Sequence, residues 1–172
     1  MKRQSTKILL QLNDFFISMK PKSEQGSLKK ILMSGIAAAT VIWLLWLISF
    51  FSNYPVIMGS FGASIFLLLA VPKSEFSRVK NLLGGHFLAS LVGLTCSQIF
   101  GMEFWVLPIS LCLTVIGMQL LGVSHPPAAS NPVIIFFSSP DWTFLLVPTF
   151  IGSVILAIFA YFYHKVFLRL EF

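Results

Sequence analysis

The chain has 172 residues, of which 56% are hydrophobic, 10% are charged and 18 are phenylalanine. An ordinary soluble domain is about 25% charged, and a soluble domain of this size could not bury so much apolar surface. This composition excludes a soluble enzyme, a nucleic-acid-binding domain and a disordered chain, and it indicates a small polytopic membrane protein. The formal net charge of +6 takes its meaning from where the charged residues lie.

Residues 1–26 are predicted to form an interfacial amphipathic helix and a linker, before a transmembrane domain over residues 27–172. Apolar residues recur at helical spacing from Ile8 to Met19, with Lys and Arg residues on both sides of them. A basic amphipathic helix of this kind lies in the membrane interface and favours anionic lipid headgroups. Anionic lipids are therefore the first predicted partner.

Six apolar segments follow, and the pattern predicts about six membrane-crossing elements in an all-α fold. The first has 21 residues, which is enough for a hydrocarbon core of about 30 Å. The second is interrupted by glycine and serine residues, and the fifth would reach only about 20 Å as a helix. The fifth therefore fits a half-helix, a re-entrant element or a steep crossing. The predicted segments are 31–51, 54–71, 82–100, 104–123, 126–139 and 143–163.

The basic residues predict the topology. With a cytoplasmic N-terminus and six crossings, all 12 Lys and Arg residues fall on the cytoplasmic side. The predicted outer turns carry only Glu103 and Asp141 as charged residues. This positive-inside pattern predicts cytoplasmic N- and C-termini, and we expect a bacterial plasma (inner) membrane. Because the basic residues are explained by topology, no nucleic-acid partner is predicted.

Three crossings before Gly101 and three after it suggest two inverted repeats, over residues 27–100 and 102–165. Gly62-Ala63-Ser64 and Ala128-Ala129-Ser130 occupy similar places in the two halves. An inverted repeat would place the functional site where the two broken elements meet. Chance similarity between small residues is the alternative.

None of the six acidic residues lies in a predicted span, which argues against a cation carrier or a carboxylate proton relay. No paired carboxylates, serine-nucleophile motif or phosphate loop is present, so the chain is not predicted to be an enzyme. Cys96 and Cys112 lie in apolar runs without metal-ligand spacing. Neither a cofactor nor a metal site is therefore predicted.

The candidate site is an anion site at the starts of two half-helices. A helix that begins near Pro126 would present backbone N–H groups and the positive end of its dipole, and His125 would add a donor or a charge. A second start lies near Ser60, which is the predicted cap, and Gly62 allows close approach. Structural turns and glycine packing are the alternative interpretation. The predicted substrate-binding residues are Ser60, Gly62, Ala63, Ser64, Asn81, His86, His125, Pro126, Pro127, Ser130 and Asn131.

Three motifs resemble the HPP family of integral membrane proteins. His125-Pro126-Pro127-Ala128, followed by Asn131-Pro132, is similar to the signature that names the family. Ser60 to Ser64 and the stretch from Asn81 to His86 also resemble it. The resemblance implies a compact transmembrane domain. Some plastid and cyanobacterial members are linked to nitrite transport, so it also implies a role in moving nitrite or a similar anion.

The sequence departs from the family pattern in two places. Ala129 stands where glycine is common, and Val79-Lys80 stands where Pro-Arg is common. The second departure puts an arginine-specific anion contact in doubt, because lysine lacks the planar guanidinium fork.

The leading hypothesis is a transporter or channel for a small inorganic anion, with nitrite the best-supported substrate and His86 or His125 as the group for any coupled proton. One alternative is a non-transporting scaffold or sensory module that acts through the N-terminal helix; another is a neutral-solute carrier. A ridge of small residues, Gly85, Ala89, Gly93 and Ser97, predicts close helix packing and makes a homo-oligomer a further expectation.

Overall fold

The computed structural model describes residues 27–168, so the predicted N-terminal helix lies outside the described residues. Residues before Met33 form a unit separate from Met33–Phe172, and its described part, 27–32, begins the first helix and is exposed. The described part of the chain is helical and contains no strand. The all-α prediction is therefore confirmed.

Six α-helices follow one another in the described residues, in the order predicted from the apolar segments. A 3₁₀ turn at Glu75–Ser77 precedes α3, and another at Pro126–Ser130 leads directly into α5. A kinked segment at Leu145–Phe150, in which Val147 has non-helical backbone angles, precedes α6, and a π-helical turn at His164–Leu168 follows it. The α-helices are α1 (Leu28–Ser52), α2 (Ser60–Ala70), α3 (Val79–Phe100), α4 (Val106–Leu120), α5 (Asn131–Ser138) and α6 (Ile151–Tyr163).

Three helical stretches in the described residues are long and apolar enough to cross a membrane: Leu28–Ser52, Val79–Phe100 and Leu145–Phe167. The 25 residues of α1 extend about 37 Å, which exceeds a hydrocarbon core of about 30 Å. Only Ala37, Val41 and Leu45 of this helix are buried, so most of its apolar surface faces outward. Lipid is the solvent that such a surface requires, and the chain is an integral membrane protein.

The second apolar segment is not a continuous helix, as its glycine and serine interruption predicts, and α2 begins at Ser60, near the predicted second helix start. Residues 53–59 are non-helical, and α2 has only 11 residues, about 16 Å. Pro55 lies within this stretch and cannot donate a backbone hydrogen bond. The N–H of Val56 instead donates to Ser49 Oγ at 2.9 Å, and Val56 and Met58 are buried. The chain therefore passes beside α1 without helical structure before α2 begins.

Helix α3 is the central element of the fold. It contacts α4, α5, α6 and the short helical segments between them. The predicted ridge of Gly85, Ala89, Gly93 and Ser97 is buried along its whole length. A Cβ on Gly93 would lie 2.8 Å from Ile135 Cδ1, so α5 packs directly against the α3 backbone. The packing role predicted for the ridge is confirmed.

A second close contact joins α6 to α2. Phe61 of α2 is fully buried, and its ring lies against the backbone of Gly152. A Cβ on Gly152 would overlap this ring and would lie 2.8 Å from the carbonyl oxygen of Val56. The non-helical segment before α2 is therefore enclosed by α6, which fixes where α2 begins.

The Gly152→Ala variant is expected to be less stable, because the new methyl group must displace Phe61 and a backbone carbonyl. Overpacking of this kind costs about 1–3 kcal/mol. Gly35→Ala is the matched control, since a Cβ there meets no atom within 4 Å and alanine favours helix by up to about 1 kcal/mol. Thermal unfolding in detergent checks the prediction. Equal melting temperatures for the two variants would contradict it.

Candidate functional site

Four of the predicted site residues meet in one buried cluster. Ser64 lies on α2, His86 on α3, His125 just before the Pro126 turn, and Asn131 at the start of α5. Each of these side chains has 0% of its surface exposed. The cluster joins elements from both halves of the chain. Its hydrogen-bonded residues lie up to 61 positions apart in the sequence, as in the pair of Ser64 and His125.

The Ser64 hydroxyl is the centre of the cluster. Its Oγ lies 2.8 Å from His86 Nε2 and 2.9 Å from His125 Nε2. The centroids of the two imidazole rings are 5.1 Å apart. A hydroxyl has one proton to donate and two lone pairs, so it cannot donate to both rings. At least one imidazole must therefore donate its own proton to Ser64.

The partner of the second nitrogen decides the tautomer of His125. Nδ1 of His125 lies 2.8 Å from the carbonyl oxygen of Phe76. A carbonyl oxygen only accepts, so Nδ1 must carry the proton. In the neutral ring Nε2 is then an acceptor, and it receives the Ser64 hydroxyl proton.

The tautomer of His86 follows from that of His125. Because the Ser64 proton is already used, His86 Nε2 donates to Ser64 Oγ. His86 Nδ1 is then an acceptor, and Asn131 Nδ2 lies 3.2 Å from it as a donor. The uncharged cluster therefore has one consistent arrangement of protons, from Asn131 through His86, Ser64 and His125 to the Phe76 carbonyl.

The cluster continues along α3 through residues that the sequence analysis did not single out. Asn131 Nδ2 donates to Ser90 Oγ at 2.9 Å, and Ser90 Oγ lies 2.8 Å from Thr149 Oγ1. Ser90 follows His86 by four residues, so helical periodicity places both on one face and could have identified it. Nothing in the sequence near Thr149 or Phe76 indicated a part in the cluster.

Two adjacent glycines bring His125 to the cluster. A Cβ on Gly84 would lie 2.7 Å from Val123 Cγ1, and a Cβ on Gly85 would lie 2.7 Å from His125 Cβ. The loop before the Pro126 turn can therefore lie directly on the α3 backbone. His86 directly follows the glycine pair in the sequence, and this contact places the His125 ring beside the His86 ring.

The remaining predicted residues near α2 lie at the edge of the cluster or outside it. Ser60 is buried, but Gly59 is the N-cap and no side chain caps this helix, so the predicted capping role of Ser60 is wrong. The Ser60 carbonyl oxygen lies 3.2 Å from Ser64 Oγ. Gly62 and Ala63 are exposed and do not face the cluster.

Asn81 and Ser130 stabilise turns. Asn81 Nδ2 donates to the carbonyl of Glu75 at 2.8 Å, which closes the turn before α3. Ser130 Oγ donates to the carbonyl of Pro127 at 2.8 Å within the 3₁₀ turn. Pro127 is buried in this turn and Pro126 is exposed.

The helix starts offer fewer unpaired backbone donors than the sequence predicted. The 3₁₀ turn begins with two prolines, which have no N–H, and the N–H of Ala128 donates to the His125 carbonyl. In the first turn of α2, the N–H groups of Phe61 and Gly62 donate to preceding carbonyl groups. Side chains, rather than helix ends, therefore supply the polar groups of this site.

Several buried polar atoms near the interior lack a hydrogen-bond partner among the described residues. They are side-chain oxygens of serine, threonine and asparagine, which suit neutral contacts with a small polar solute. The same part of the chain holds no group of three or more His, Cys, Asp or Glu residues that could bind a metal ion. The unpartnered oxygens are Ser60 Oγ, Ser110 Oγ, Thr114 Oγ1 and Asn131 Oδ1.

The proton arrangement predicts opposite neutral tautomers for the two histidines of the cluster. His125 is expected as the Nδ1–H form and His86 as the Nε2–H form. His164 is expected as Nε2–H, because its Nε2 lies 2.7 Å from the Leu68 carbonyl. Nitrogen-15 spectra of histidine-labelled protein in bilayers at about pH 8, above the usual histidine pKa of about 6.5, measure these forms. We expect one Nδ1–H signal for every two Nε2–H signals, and three Nε2–H signals would contradict the arrangement.

Known proteins resemble this chain over most of its described part. A family model for the HPP transmembrane region matches residues 23–170. A transmembrane protein of Dictyostelium discoideum is 30% identical over 113 residues, which is 61% of this chain and 40% of that protein. A second one from the same organism is 26% identical over 106 residues, 57% of this chain and 34% of that protein.

The chain thus spans two fifths or less of the length of these two relatives, whose names state only that they are transmembrane proteins. No solved structure matches the chain. Because the family model covers residues 23–170, well over half of the sequence, the chain belongs to the HPP transmembrane family.

Proposed function

We propose that this chain is a membrane transporter or channel for a small inorganic anion, with nitrite as the first substrate to test, and that it is not an enzyme. The observation that carries the proposal is the buried cluster of Ser64, His86, His125 and Asn131, which lies within a chain of apolar helices. Polar side chains in membrane helices are expensive, so a connected group of them indicates a solute or ion site.

The absence of acidic side chains from the helices favours an anion over a cation. None of the six α-helices in residues 27–168 contains Asp or Glu. Glu75, Glu103 and Asp141 lie in the connections between them and are exposed. The polar groups within the interior are imidazole, amide and hydroxyl groups, none of which repels an anion as a carboxylate does. The unpartnered hydroxyls of Ser110 and Thr114 on α4 are available to donate to an anion.

Basic residues lie close to the end of the cluster at which His125 meets Phe76. Arg78 and Lys80 are exposed just after the Phe76 turn. A Cβ on Gly122 would lie 3.7 Å from Lys80 Nζ, so this charge is beside the loop that carries His125. Positive charge on the surface beside the cluster raises the local concentration of anions there.

The order of elements is compatible with two inverted halves. A long helix, a short element and a long helix occur in α1, α2 and α3. The second half has α4, then the Pro126 turn with α5, then α6 with the kinked segment before it and the π-helical turn after it. We propose that these six elements cross the membrane with both termini in the cytoplasm of a bacterium, and that the protein is a homo-oligomer in contact with anionic lipids.

The structure also has an apolar groove away from the cluster, and this groove does not suit an anion. A groove of about 450 Å³ lies between α1 and the end of α6, and its lining is almost entirely apolar. Dehydrating an anion there would not be compensated by hydrogen bonds. The groove is lined by Met33, Ile36, Ala37, Thr40, Phe159, Phe162, Tyr163, Val166 and Phe167.

Reconstitution into proteoliposomes tests the proposed transport. Wild-type protein is expected to carry at least one of nitrite, nitrate, formate, chloride and bicarbonate faster than protein-free vesicles do. Asn131→Ala removes donors to His86 and Ser90, a loss of about 1–3 kcal/mol that corresponds to roughly tenfold slower flux or more. Ser138→Ala is the control, since this exposed hydroxyl donates only to its own helix, at the Ile134 carbonyl.

Equal flux in the Asn131→Ala and Ser138→Ala variants would remove the cluster from the transport pathway. Flux of urea or another neutral solute without any anion flux would identify a neutral-solute carrier instead. No flux of any solute would overturn the proposal and would favour the non-transporting module that acts through residues 1–26.

A further inference from the structure

We propose that Ser64, His86 and His125 form a binding site for a single proton, which is held on His125 and carried together with one anion. This inference rests on the proposed anion transport and adds its coupling ion. Its basis is the number of hydrogen-bonding neighbours around one hydroxyl group, rather than the presence of histidine alone.

Ser64 has three neighbours but only one proton. In the uncharged cluster the hydroxyl donates to His125 Nε2 at 2.9 Å and accepts from His86 Nε2 at 2.8 Å. The third neighbour is the Ser60 carbonyl, 3.2 Å from Ser64 Oγ, which can only accept. In that arrangement the Ser60 carbonyl oxygen receives no hydrogen bond from Ser64, because the hydroxyl proton is donated to His125.

One added proton uses all three neighbours. When it binds His125 Nε2, that nitrogen becomes a donor, and the Ser64 hydroxyl turns to donate to the Ser60 carbonyl. Ser64 Oγ then accepts from both imidazoles, while His125 Nδ1 still donates to Phe76. The proton enters and leaves without loss of a hydrogen bond, and no covalent bond other than N–H forms or breaks.

A second proton has no comparable place. It would have to bind His86 Nδ1, which already faces an N–H of Asn131. It would also put two positive rings at a centroid separation of 5.1 Å in a buried site. The geometry therefore limits the cluster to one proton and assigns that proton to His125.

The charged cluster lacks a counter-ion from the described part of the protein. Helices α2 and α5 and the Pro126 turn carry no charged or titratable residue, and α4 carries only Cys112. The charged groups on the adjoining turn and at the start of α3 are all exposed, namely Lys73, Glu75, Arg78 and Lys80. Helix α3 also carries Cys96, the end of α6 carries Tyr161 and Tyr163, and the turn after it carries His164 and Lys165. A buried positive charge needs a partner of opposite sign. The transported anion supplies it, so proton and anion move as an electroneutral pair.

Proton uptake per anion tests the inference in proteoliposomes that contain an internal pH indicator. Nitrate and chloride are the probes of choice, because their acids are strong and do not cross the lipid as neutral molecules. With potassium and valinomycin clamping the membrane potential, wild-type protein is expected to take up one proton per anion. Its anion flux should not change when the potential is set to about −100 mV.

Ser64→Ala removes the hydroxyl that joins the two rings, and the control Ser138→Ala removes an exposed hydroxyl that donates only to the Ile134 carbonyl of its own helix. We expect the first variant to lose proton uptake and its pH-driven anion flux by about tenfold or more, as loss of a buried hydrogen-bond partner predicts. The second should keep the wild-type ratio of one proton per anion. Nitrogen-15 spectra of wild-type protein with saturating nitrate or chloride at about pH 6 should show one doubly protonated ring, His125.

The outcomes separate this inference from the proposed function. Anion flux without proton uptake, or flux that follows the membrane potential, would overturn the proton site and leave anion transport standing. A doubly protonated His86, whether alone or together with a doubly protonated His125, would also overturn it, even if Ser64→Ala failed to fold. Absence of flux for every anion would overturn the proposed function and the coupling together.

Discussion

The arrangement of the interior depends on one hydroxyl group, that of Ser64, which has three hydrogen-bonding neighbours but a single proton to donate. Ser64 lies within 2.9 Å of two imidazole nitrogens, and all three side chains are fully buried. Because no water is available in lipid to pair with an unmatched donor or acceptor, each imidazole nitrogen must donate or accept as its neighbour requires. The Phe76 carbonyl requires a proton on His125 Nδ1, and this assignment fixes the donors and acceptors of Ser64, His86 and Asn131 in turn. Four separate segments are thus held in one register by donors and acceptors.

Small residues make this register possible, since hydrogen bonds of this length require close backbones. Gly84 and Gly85 let the loop before Pro126 lie against α3, and Gly93 lets α5 do the same about two turns further along. In a membrane there is little hydrophobic drive to join helices, so van der Waals contact at close range must supply the packing energy. The same ridge therefore packs the helices and positions the polar cluster.

Apolar run length and the prolines were enough to predict the order of the helices, the interrupted second element and the short fifth element, but not the kink at Val147 within the predicted sixth span. The four cluster residues could be identified as candidates because polar side chains are rare in such a chain. Their pairing could not, because His125 and Ser64 are 61 residues apart and meet only through tertiary packing. The non-helical stretch around Val56 was not predicted, because its apolar residues continue the pattern of a membrane span and only the contact between Ser49 and the Val56 N–H shows where the chain leaves the helix.

The paired prolines at the start of the Pro126 turn have a consequence for discrimination between ions. A helix that begins with two residues lacking N–H keeps the electric field of its dipole but loses the directional donors that usually accompany it. An anion approaching from that side would be attracted by the field of the dipole, but it would meet no N–H donors whose directions depend on its shape. Preference among monovalent anions at this end would therefore be set by size and hydration energy, whereas geometry-sensitive recognition would be left to the amide and hydroxyl side chains deeper inside.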